Sequence, residues 1–136
     1  MAHPHQQALI DRMRVLQRSS PEVEAAALIS PDGLIIASAL KPEINEDRVS
    51  AMSASILSLG EGICRETAIG KLEQVHLQGE TGHIVLMAAG EKAVLTAFIA
   101  AQAKMGVLLM DMRHAADDLV KILIEDEQKQ TDDGSL

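Results

Sequence analysis

The chain of 136 residues carries a formal net charge of −8 and is 47% hydrophobic, which suits one domain with a real core and excludes a disordered chain. Phe98 is its only aromatic residue and no run of Lys and Arg occurs, so neither base stacking nor phosphate binding has the side chains it needs. The expected protein binds no nucleic acid and fills its interior with Leu, Ile, Val, Ala and seven Met.

In chain order, residues 4–18 read as a helix, with Leu9, Met13 and Leu16 at helical spacing and Pro4 in the tolerant first turn. Residues 23–30 read as a strand, Pro31-Asp32-Gly33 as a tight turn and 34–38 as the returning strand. Asn45 is a suitable N-cap, with Glu46 and Asp47 behind it in the first turn, for a helix ending near residue 69 with Gly70 as its stop. Three strand-like runs follow, at 72–78, 83–88 and 93–100, spaced as an antiparallel meander. A last helix is expected over 106–125, with Leu108, Met112, Ala115, Leu119 and Ile122 as its apolar stripe. Residues 126–136 read as a polar, disordered tail, which puts the domain at 4–125. The order α-β-β-α-β-β-β-α makes an α+β domain: one antiparallel sheet with helices on its faces.

The central helix, RVSAMSASILSLGEGIC over 48–64, is unusually rich in Ser, Ala and Gly. Val49, Met52, Ile56, Leu59 and Ile63 form a stripe at steps of three and four that is expected to lie on the sheet. Ala51, Ala54, Ser55, Ser58 and Gly62 then fall on the opposite side, where a solvated helix would carry charges. Such small residues let a second helix approach closely, so this side reads as a packing surface, with Met52 and Leu59 at its border. The competing reading is a Ser/Ala-rich helix that is merely solvated.

Catalytic machinery is not evident. Gly60-Glu61-Gly62 lacks the strand and third glycine of a dinucleotide loop, and no Walker sequence is present. Cys64 beside the apolar stripe reads as a small core hydrophobe, since no His stands near it to activate it. His76 and His83 flank a four-residue turn and share a hairpin face, but two imidazoles without a third ligand make a poor zinc site, and they read as solvated strand histidines. His3 and His5 sit at the terminus, and His114 lies on a polar helix face beside Arg113 and Asp117. The carboxylates of the last helix show no inward pairing suited to acid–base work. No enzyme activity, cofactor or metal is expected. A single cysteine, no apolar run of about 20 residues and no signal-like N-terminus point to a cytoplasmic protein without direct membrane insertion.

Taken together, LISPDGLIIASAL at 28–40, GKLEQVHLQGETGHIVLMAAGEKAVLTAFIA at 70–100 and MGVL at 105–108 with the following MDMRHAADDL resemble the first hairpin, the meander and the last helix of the Roadblock/dynein light chain family. Met105 stands where Leu is commoner, and the loop 101–104 lacks the Asn often found there. The resemblance implies a profilin-like five-stranded antiparallel sheet, with the central helix on one face and the terminal helices on the other. It also implies a homodimer with paired central helices and third strands placed to join the two sheets. Members of the family regulate or scaffold Ras-like small GTPases, and the extra N-terminal helix is similar to the prokaryotic GTPase-associated type. The implied function is a non-enzymatic homodimeric regulator or scaffold for such a GTPase, its dimer and partner surface formed by Ala51, Met52, Ala54, Ser55, Ser58, Leu59 and Gly62. The alternatives are a structural adaptor of the dynein-light-chain or signalling-complex kind, without effect on nucleotide turnover, and a small-molecule sensor with a cavity under the central helix.

Overall fold

The computed structural model describes residues 5–134. Its elements are α1 (Gln6–Ser19), β1 (Val23–Ile29), β2 (Ile35–Ala39), α2 (Glu46–Glu66), β3 (Gln74–Gln78), β4 (Gly82–Ala89), β5 (Ala93–Ala100) and α3 (Met105–Gly134). The five strands form one sheet in the order β2-β1-β5-β4-β3, with every neighbouring pair antiparallel. The expected profilin-like arrangement is the one observed.

Side chains alternate across the sheet because successive residues of a strand point to opposite faces. On one face Leu28, Val85, Met87, Leu95 and Ile99 meet Leu9, Met13 and Leu16 of α1 and Leu108, Met112, Ala115 and Leu119 of α3. This is the main core, and the stripes read from the sequence for both terminal helices point into it. Two polar contacts lock the helices together beside it. Arg12 Nε donates to Asp118 Oδ2 at 2.7 Å, and the buried Ser20 hydroxyl donates to Asp111 Oδ2 at 2.6 Å. Carboxylates that read as ordinary surface charges thus bind α1 to α3.

The opposite face carries a smaller core. Ala27, Ile29, Leu86 and Val94 of the sheet pack with Leu57 of α2, flanked by Ile35, Leu40, Ile56, Leu72, Val75 and Ile84. Here the structure corrects the expected orientation of α2. Its buried residues are Ser50, Ser53, Leu57 and Cys64, one step round the helix from the expected stripe. Ile56 keeps a half-buried place against the small core, but Met52, Leu59 and Ile63 are exposed. The sheet's own Ile, Leu and Val side chains supply much of the volume beneath the helix, and α2 adds Leu57 and part of Ile56 to it, with the small Ser50, Ser53 and Cys64 beside them.

The termini of the helices also differ in detail. Asn45 caps α2 as expected, its Oδ1 accepting from Arg48 N at 3.1 Å. The other end closes earlier than Gly70. Ala68 N donates to Arg65 O at 3.2 Å and Ile69 N to Cys64 O at 3.1 Å, a Schellman pattern with Ala68 at φ 56° in the place glycine usually takes. Helix α3 runs on to Gly134 instead of ending near residue 125. Its last turns are Glu, Gln, Lys and Asp with no Pro or Gly before Gly134, and a helix already nucleated by packing propagates through such residues. The expected disordered tail at 126–136 is therefore mostly helical, and its last two residues lie outside the described ones.

Candidate interaction surface

The thinness of α2 has an internal cause along part of its length. The β1–β2 turn folds down onto the helix, and Gly33, at φ +92°, sits so close that a Cβ there would meet Ser50 O at 3.1 Å and the Ala51 Cα and Ala54 Cβ at 3.2 Å. Nearly two turns before its end, Gly60 makes room for Leu72, whose Cδ2 lies 3.0 Å from where a Gly60 Cβ would stand. Small residues at 50, 51, 54 and 60 are thus explained by close approach within the chain.

The outward side of α2 differs in character. Met52, Leu59 and Ile63 are 60%, 69% and 62% exposed, and Ala51, Ser55 and Ser58 are exposed among them. Ala54 and Gly62 are half-buried, and nothing but the Arg65 guanidinium, at 3.9 Å, approaches a Cβ at Gly62. Positions 52, 55, 59, 62 and 63 recur at helical spacing, so they form one continuous outward strip. The usual pattern is partly reversed: Ser50, Ser53 and Cys64 are buried beside Leu57, while the bulky apolar Met52, Leu59 and Ile63 face out among small residues. The sequence-expected surface residues are brought together on this helix, although Ala51 and Ala54 also hold the Gly33 turn. Met52, Leu59 and Ile63 all belong to the stripe expected on the sheet side; Met52 and Leu59 also stand at the border of the expected packing surface, and Ile63 does not.

Beside the C-terminal end of α2 lies a cavity of about 660 Å³, lined by Leu57, Cys64, Leu72, Ala93 and Val94 with Arg65 and Lys71 at its mouth. Lys71 pairs there with Glu91 at 3.4 Å. Cys64 is buried in this wall as the small hydrophobe expected. Of the two histidines of the β3–β4 hairpin, His76 is exposed as expected, but His83 is buried and its ring touches that of His76. His114 is exposed on α3, and His3 lies outside the described residues. Among the described residues no helix is long and apolar enough to cross a membrane.

Comparison with known proteins places this geometry. The Roadblock/LC7 domain model matches residues 9–98. A protein of Methanocaldococcus jannaschii, MJ0310, is 29% identical over 111 residues, spanning 82% of this chain and 96% of its own. Among solved structures, Myxococcus xanthus MglB superposes with a TM-score of 0.85 at 16% identity, and an MglB with tetrameric arrangement with 0.83 at 21% identity. Each match covers 93% of this chain and 95% of the other. Schizosaccharomyces pombe profilin shares the architecture with a TM-score of 0.60 at 16% identity, over 86% of this chain and 98% of its own. With its strand order, its helix placement and the matched sequence model all in agreement, the chain belongs to the Roadblock/LC7 domain family.

Proposed function

We propose that this protein is a non-enzymatic, homodimeric regulator or scaffold of a Ras-like small GTPase, and that the outward strip of α2 is its working surface. The observation that carries the reading is the exposure of Met52, Leu59 and Ile63 on one side of a helix whose other side already packs on the sheet. Exposed apolar strips of this kind mark protein–protein contacts. Ser55, Ser58 and Gly62 between them leave room for a facing helix backbone, as a self-complementary two-fold contact requires. Family membership supports the GTPase pathway as the setting, and the similarity to an MglB with tetrameric arrangement supports assembly of several copies.

Regulation by this surface needs no catalytic group of its own: a bound partner's switch segments respond to any contact that favours one of their states. Light scattering at micromolar concentration tests the assembly, and a monomer there would refute the dimer. Ser58→Arg places a long cation in the middle of the strip; the expected result is loss of the dimer or of GTPase binding with an unchanged circular dichroism spectrum. Adding the wild-type protein to a panel of small GTPases and following GTP hydrolysis and nucleotide exchange separates regulation from scaffolding. Binding without any change of rate would favour the adaptor role.

A further inference from the structure

We propose that His76 and His83 form a two-imidazole chelate for a divalent transition-metal ion of the Cu(II) or Ni(II) type, built across the β3–β4 hairpin. The two side chains lie on the same face of the sheet, diagonal to one another, since His76 pairs with Val85 and His83 with Gln78 in the ladder. His76 Nε2 and His83 Nδ1 are 2.9 Å apart, with the ring centroids at 5.0 Å and the planes tilted by 45°.

The other nitrogen of the buried ring is already engaged. His83 Nε2 lies 3.1 Å from Ala101 O, and a carbonyl oxygen only accepts, so Nε2 carries the hydrogen. In the neutral ring Nδ1 is then the acceptor, and His76 Nε2–H donates to it at 2.9 Å, a hydrogen that an incoming ion replaces. A backbone carbonyl holding one imidazole nitrogen so that the other is free for an ion is the usual support of a metal-ligating histidine. His76 is exposed, so it can turn about its Cβ–Cγ bond and direct its own lone pair at the same point.

The 2.9 Å contact is that of the hydrogen bond, so the choice of metal rests on the donors: two imidazoles with water suit Cu(II) and Ni(II), which bind imidazole nitrogen more tightly than the earlier first-row divalent ions. Among the described residues no group of three or more His, Cys, Asp or Glu converges for a metal, so the chain supplies two corners and water the others. The strand register keeps the two rings adjacent before any ion arrives, so chelation asks only that His76 turn and shift its hydrogen.

The test uses the full chain carrying His3→Ala and His5→Ala, so that terminal imidazoles do not compete. Titration with CuCl2, followed by calorimetry and electron paramagnetic resonance, should give one ion per chain with coupling to two imidazole nitrogens. His76→Ala, at an exposed edge-strand position, should keep the fold by circular dichroism and weaken binding at least tenfold; His83→Ala should lose it. If His83→Ala fails to fold, His76→Ala decides alone. Equal affinity in His76→Ala and its parent, or no bound ion once the terminal histidines are gone, overturns the proposal and leaves the pair a hydrogen bond only.

Discussion

Gly33 and Ala54 lie against each other, so that a methyl group on Gly33 would stand 3.2 Å from the Ala54 Cβ. That contact seats the β1–β2 turn on α2 and fixes where the helix crosses the sheet. Gly33→Ala must place a Cβ at φ +92° and also push back Ser50 and Ala51. The expected cost is about 1–3 kcal/mol of unfolding free energy, read as a lower midpoint in urea with an unchanged slope.

Ala68 offers the opposite sign. It holds φ 56°, a conformation that strains any residue with a Cβ, to complete the Schellman hydrogen bonds that end α2. Ala68→Gly relieves that strain, and stability should rise by about 0.5–1 kcal/mol despite the freer unfolded chain. A decrease in denaturation midpoint would show that the capping geometry is not the one described.

The two helical glycines of α2 should respond unequally to the same change. A Cβ at Gly62 meets only an arginine tip at 3.9 Å, whereas one at Gly60 reaches Leu72 Cδ2 at 3.0 Å. Gly62→Ala should therefore recover most of the helix-propensity gain, about 0.5–1 kcal/mol, when measured at concentrations where the chain is monomeric. Gly60→Ala should return less of it, because Leu72 must shift. Equal gains would mean that Leu72 does not rest on Gly60.

Thr96 lies in the middle of β5 facing α2, and its buried hydroxyl meets no hydrogen-bond partner among the described residues. Thr96→Val keeps the shape and removes an unpaired polar group, so thermal unfolding should shift upward, by about 1 kcal/mol in stability. A loss of stability of that size would reveal that the hydroxyl is satisfied in solution.

Breaking the α1–α3 clamp gives a further check on the main core. Arg12 is mostly buried and its Nε lies 2.7 Å from Asp118 Oδ2. Arg12→Ala should cost about 1 kcal/mol, and Asp118→Ala a similar amount, with the double variant losing less than the sum. Strict additivity in that cycle would show that the pair contributes nothing as a pair.

The architecture was legible because turn chemistry and periodicity agree at nearly every boundary. Asn45 caps its helix, Pro31-Asp32-Gly33 turns its hairpin, and Leu9, Met13 and Leu16 point into the core. The orientation of α2 was not legible, for a physical reason. Reading bulky residues as inward assumes that the helix supplies the interlayer volume; here Ile29, Leu86 and Val94 of the sheet supply much of it, and Ser50 and Ser53 are buried beside Leu57. The contact of Gly33 with Ala54 was hidden as well, because close approach across residues far apart in the chain leaves no local pattern. His83 was misread because its burial depends on the β5–α3 loop, which brings Ala101 O to its ring.

The partly inverted packing of α2 separates, over part of its surface, two demands that usually compete on one helix. Met52, Leu59 and Ile63 are exposed, so changes to them leave the contacts beneath the helix intact, whereas Ala51 and Ala54 serve both the outer side and the Gly33 turn. On the proposed role of this strip, its three bulky side chains are free to change over generations without a compensating repair of the interior.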